Sequence, residues 1–142
     1  MNGSIVKGAD FDKDGDIDLF VGGSVILGKY PMAEKSQLLI NSNGTFKQAS
    51  LEVFKDISDL GIVNDAIWDD FDNDGWVDLI IASEWSAVSF YKNESGQLNK
   101  IMKNEALDNA KGWWKSIQAA DLDGDGDQDY IVGNVGRNTP FT

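Results

Sequence analysis

Neither cysteine nor histidine occurs in the 142 residues, and proline occurs twice. Without thiols there is no disulfide framework and no thiolate metal site. Without imidazole the commonest general base and transition-metal ligand is missing, so any metal site must be built from oxygen, which selects hard ions such as Ca²⁺ and Mg²⁺. Basic residues are scarce as well: 12 against 24 acidic ones leave a net charge of −12 and a pI near 4.1. Phosphate recognition relies on Lys and Arg, so neither nucleic acid nor an anionic membrane surface is an expected partner. No apolar run approaches the ~18 residues of a membrane span. The opening MNGSIVKGAD has neither the basic nor the apolar region of a secretory signal. Membrane insertion is therefore not expected. With 42% apolar and 11% aromatic residues, the chain has the material for a folded core.

What the chain has in excess is aspartate, in one recurring pattern. DFDKDGDID starts at residue 10, DFDNDGWVD at 70 and DLDGDGDQD at 121, each reading D-x-D-x-D-G-x-x-D. Positions one, three, five and nine are always acidic: Asp10, Asp12, Asp14 and Asp18; Asp70, Asp72, Asp74 and Asp78; Asp121, Asp123, Asp125 and Asp129. The second position is Phe11, Phe71 or Leu122, always apolar, as for a plug beneath the loop. Gly15, Gly75 and Gly126 fill the sixth position, where a tight reversal favours a residue that tolerates positive φ. The seventh is Asp16, Trp76 or Asp127; so variable a side chain points to the backbone carbonyl as the useful group there.

Ionised carboxylates ~5 Å apart repel by ~3 kcal/mol per pair at an effective dielectric of 20, so a cation is needed to hold them together. Several carboxylate oxygens, a carbonyl and water match the six to eight oxygens that Ca²⁺ takes, whereas Mg²⁺ keeps more of its own water. Three such ions would offset half of the formal −12. The loops are not EF-hands, whose position twelve is a bidentate Glu and whose flanks are helices. Here position twelve is Val21, Ile81 or Val132.

Each loop runs into a short apolar stretch, LFVGG, LIIAS or YIVGN, of strand length and rich in branched and aromatic residues. Residues 36–50 then read as a hairpin turning at Asn43-Gly44, and 86–102 as a second turning near Gly96. The repeating unit is thus a four-stranded antiparallel sheet, which buries both faces by stacking with copies of itself as propeller blades. The expected fold is all-β: blade 1 over about 1–60, blade 2 over about 61–111 and half of a third over 112–142. Trp113 and Trp114 are adjacent, so in a strand they face opposite ways and cannot form one sugar-stacking platform. Core or blade-to-blade packing is their expected role, and Trp76 and Trp85 are candidates for ligand contact.

D-x-D-x-D-G-x-x-D followed by an apolar strand resembles the VCBS and FG-GAP repeats of integrin-like β-propellers. The stretches GGSVILGKYP, LLINSNGTF and GWWKSIQAADLDGDGDQDYIVGNVGRN are similar to the ASPIC/UnbV-associated group. The resemblance implies calcium-binding blades inside large exported or surface proteins of adhesion or recognition. It also implies that the four loop aspartates and the seventh carbonyl of each copy are the calcium ligands, at about three sites. Two and a half blades cannot close a ring, so the chain is expected to be part of a larger propeller or to complete its sheets as a homo-oligomer.

The expected function is a non-enzymatic interaction module in which calcium rigidifies a surface for a protein or glycan partner, outside the cell or at its surface. The alternative is part of a polysaccharide-active hydrolase or lyase, with Glu34, Glu84, Glu105, Asp65 and Asp69 as candidate acids. None of these stands beside a recognisable nucleophile.

Overall fold

The computed structural model describes residues 2–101 and 109–136. Four strands form the first sheet in chain order: β1 (Gly3–Ala9), β2 (Asp18–Gly23), β3 (Gln37–Ser42) and β4 (Thr45–Gln48), every neighbour antiparallel. The arrangement returns in β5 (Val63–Asp69), β6 (Asp78–Ser86), β7 (Ser89–Asn93) and β8 (Leu98–Lys100). A final antiparallel pair follows, β9 (Gly112–Ala120) and β10 (Asp129–Asn134). The fold is all-β, built from antiparallel sheets of partial propeller blades.

Each acidic loop joins the first strand of its unit to the second in one register. Ala9 lies opposite Asp18, Asp69 opposite Asp78 and Ala120 opposite Asp129. The ninth aspartate is thus the first residue of the outgoing strand. Both outer hairpins turn through two residues with positive φ, Asn43-Gly44 (53° and 82°) and Ser95-Gly96 (53° and 84°). That geometry matches the right-handed twist of the strands it joins.

The second and third units share a continuous sheet, which the repeat alone did not indicate. β6 is nine residues long and outruns β5, whose pairing ends at Ser83. Its last residues have a free edge, and β9 takes it through Glu84↔Trp113 and Ser86↔Gly112. The register slips between those two pairs, and Trp85 at the slip has a φ of 60°.

Core lies between successive units. Phe11, Phe20, Leu38, Phe54, Val63, Leu79 and Tyr91 fill the space between the first sheet and the second. Ile80, Ala82 and Ile117, with Phe71, Phe90, Trp114 and Tyr130 against them, fill the next. The segment from 49 to 62 has no repeat signature, yet it contributes Phe54, Ile57, Leu60 and Ile62 to the buried set. Phe54 pairs with Leu98 in a parallel bridge and touches the ring of Tyr91 edge-on at 4.8 Å.

The inward plug at loop position two holds for two of the three copies. Phe11 is buried in the first core with its ring 6.2 Å from that of Trp68, and Asn93 of the following unit donates to its carbonyl at 2.7 Å. Phe71 packs edge-to-face on Phe90 at 5.8 Å. Leu122, by contrast, is 60% exposed. A plug is buried by the next unit along the chain, and no further sheet lies against Leu122 among the described residues.

Candidate metal centres

The three loops converge their carboxylates in the same way. Asp10, Asp12 and Asp18 each place an oxygen within 4.8 Å of the others, as do Asp70, Asp72 and Asp78, and Asp121, Asp123 and Asp129. These are positions one, three and nine. The backbone enforces the convergence through its own amides. Gly15 donates to Asp10 Oδ2 at 3.1 Å, Gly75 to Asp70 Oδ2 at 2.7 Å and Gly126 to Asp121 Oδ2 at 3.1 Å. The sixth residue has positive φ in every copy, 94° at Gly15, 88° at Gly75 and 97° at Gly126, a conformation that favours glycine.

The ninth aspartate closes the loop. Asp18 accepts from the Phe11 amide at 3.1 Å through one oxygen and from the Asn41 amide at 2.8 Å through the other. Asp78 repeats this with Phe71 at 3.2 Å and Asn93 at 2.7 Å, and Asp129 accepts from Leu122 at 3.0 Å. Asp18 and Asp78 are fully buried. Burial raises both pKa values from the ordinary 3.8, against the lowering effect of those amides; Asp78 reaches about 6. Asp12 is raised as well, first by burial and then by the charge of Asp14.

Positions five and seven stand outside the triads. Asp14, Asp74 and Asp125 each accept from the amide two residues on, at 2.9 Å in every copy. At position seven, Asp16 accepts from the Asn43 amide at 2.6 Å and so ties the loop to the hairpin turn. Trp76 lies beneath the ammonium of Lys13, 4.1 Å from the ring centre. Asp127 is exposed.

The donor sets are all oxygen, which suits a hard divalent cation. A specific observation supports the fit in the first loop: Asp10 Oδ1 is buried and accepts no hydrogen bond from the protein. An anionic oxygen in that condition costs several kcal/mol unless a cation meets it. The three triads are compatible with calcium.

Two further residue types belong to the site and have no acidic signature. Asn41 donates to the Ile17 carbonyl at 3.1 Å and accepts from the Gly44 amide at 2.8 Å. Asn93 does the same with Val77 at 2.9 Å and Gly96 at 2.8 Å, and adds the bond to Phe11. Both asparagines sit three residues before the turn glycine, in NSNG and NESG, a shared spacing that does carry the signal. The other is Lys92, which contacts Asp72 and lies 3.0 Å from Asp74 Oδ2.

Of the candidate acids outside the loops, three hold neighbouring units together. Asp65 pairs with Lys7 at 2.9 Å and accepts from the Ile117 amide at 3.1 Å. Burial alone would raise its pKa; the bonds from Lys7 and the Ile117 and Ala66 amides outweigh burial and hold it low. Asp69 accepts from the Tyr130 hydroxyl at 2.5 Å. Glu84 pairs with Lys115 at 2.7 Å and accepts from the Tyr30 hydroxyl at 3.2 Å. Glu34 is half-buried, and Glu105 lies outside the described residues.

The tryptophans divide as adjacent strand positions must. Trp114 enters the second core, while Trp113 packs on Trp85 with ring centres 5.1 Å apart. Trp85 is half-exposed and donates to the Tyr30 hydroxyl at 2.6 Å.

No curated protein matches the chain. The family model described as FG-GAP-like repeat matches residues 70–132, from the first aspartate of the second loop to the strand that leaves the third. That stretch, with its two aspartate loops and strands β6 to β9, is similar to FG-GAP-like repeats, consistent with a repeat of the FG-GAP/VCBS type.

Proposed function

We propose that the chain is a calcium-stabilised, non-enzymatic interaction module. The observation that carries this reading is the threefold convergence of positions one, three and nine, with a buried, unpartnered oxygen on Asp10 in the first copy. Asp10, Asp12 and Asp18, and their counterparts in the other loops, hold the ion. The fifth aspartate and the seventh carbonyl would complete the oxygen shell. Calcium supplies charge neutralisation there. The chain's own amides set the loop's shape, and the ninth aspartate passes the rigidity on to the outer hairpin through Asn41 or Asn93.

Rigid loops on stacked sheets present a fixed surface, and the family of the repeat points to a protein or glycan partner outside the cell. Among the described residues no helix is long and apolar enough to cross a membrane. The outer edge of β10 carries no partner strand among the described residues. A second copy, or further blades of a larger propeller, would pair there.

At free calcium of 100 times Kd, each site adds about 2.7 kcal/mol of stability, so three add about 8. That is comparable to the whole stability of a domain, ~5–15 kcal/mol. Excess chelator is therefore expected to lower the melting temperature by on the order of 30 °C. A melting curve that chelator leaves in place would refute the reading.

A further inference from the structure

The second loop differs from the first in how its charge is already balanced. Lys92 stands on β7 at the position where β3 carries Ile40: Leu79 pairs with Tyr91 as Leu19 pairs with Leu39, and the next residue is Lys92 in one case and Ile40 in the other. From there its ammonium reaches back over the hairpin to Asp72 and Asp74. Asp72 is a member of the triad. Lys13 adds a second positive charge beside this loop through its seat on Trp76. Asp70, moreover, has both oxygens satisfied, by the amides of Asp74 at 3.0 Å and Gly75 at 2.7 Å. In the first loop no Lys or Arg within the described residues pairs with an aspartate, and Asp10 Oδ1 has no partner.

We propose that Lys92 is a tethered counter-ion that makes the second loop a weaker, later-filling cation site than the first. The inference rests on reading the loops as calcium sites. A divalent ion entering the second loop must displace the ammonium from Asp72, whereas in the first loop it meets an oxygen that nothing else occupies. The lysine also holds the ion-free second loop in shape, so the middle blade stays ordered at calcium levels that leave its loop empty. The second loop then fills after the first and not together with it.

Calorimetric titration of calcium into the chelator-stripped full chain tests this, with Lys92→Ile, which copies the first unit, and Lys92→Gln as a second variant. The two partly exposed ion pairs set the expected effect: one weak binding constant tightens roughly tenfold in both variants. Stoichiometry is unchanged. Adding Asp72→Asn to either variant abolishes the gain, which assigns it to the second loop. Calcium binding that is the same in the parent chain and both variants would overturn the role of Lys92 and leave the calcium reading standing. No binding heat in any of the three proteins would overturn both.

Discussion

Asn93 offers a stability test that needs no ion. Its side chain is fully buried and makes three hydrogen bonds: to the Phe11 carbonyl at 2.7 Å, to the Val77 carbonyl at 2.9 Å and from the Gly96 amide at 2.8 Å. Truncation in Asn93→Ala removes all three and leaves two carbonyls and an amide without partners. At about 1 kcal/mol net per bond, the loss is about 3 kcal/mol, and more if water cannot reach the orphaned groups. Asn41 is the internal control. Its side chain makes two bonds, both exposed, and has no counterpart of the bond to Phe11, so Asn41→Ala should cost about 1 kcal/mol. For a chain of this length 1 kcal/mol moves the midpoint by roughly 4 °C. Calorimetry in excess chelator should then show a drop of roughly 12 °C for Asn93→Ala against roughly 4 °C for Asn41→Ala. Equal drops would mean that the bond between units contributes nothing, and the account of how one blade closes over the previous loop would fail.

The raised pKa of Asp78, about 6 against an ordinary 3.8, contributes to the pH dependence of the ion-free protein in the same direction as the raised Asp18 and Asp12. The folded state binds a proton more readily than the unfolded one between those values, so stability falls as pH rises through that window. In chelator the melting temperature is expected to rise as the pH is lowered from 7 to 5, and Asp78→Asn to flatten the trend. With calcium present the slope reverses, since the ion requires the carboxylates ionised; a fall in the chelated protein over that range would contradict the burial of Asp78. Asp65 and Glu84, whose pKa values are lowered, lose their stabilisation only below their ordinary values of 3.8 and 4.5, outside the range from pH 5 to 7. Phe54→Ala removes a buried ring that packs on Phe20 and Tyr91, and should cost about 4 kcal/mol in a denaturant melt. A loss under 1 kcal/mol would show that the segment from 49 to 62 is not part of the core.

The repeat was legible in the sequence because its requirements are local. A loop of nine residues with alternating aspartates and a sixth-position glycine needs only its own backbone to bring positions one and three together. An Asn-Gly pair between apolar stretches likewise sets a hairpin turn through its own φ preferences. Thus the four-stranded unit and the acidic loops could be read directly, along with the all-β class.

Tertiary structure decided which aspartates share an ion site and what their surroundings do to them. The ninth carboxylate is tied to the outer hairpin by an amide 23 residues away in one unit and 15 in the other, a link the loop pattern does not encode. Lys92 becomes a counter-ion through its place on the neighbouring strand, and Asn93 a clamp between units, since side chains act across space and not along the chain. The fate of the second-position plug shows the same division: Phe11, Phe71 and Leu122 are equivalent by position, yet burial depends on the unit that packs over each. Local chemistry specifies the blade, and the stacking of one blade on the next specifies its environment.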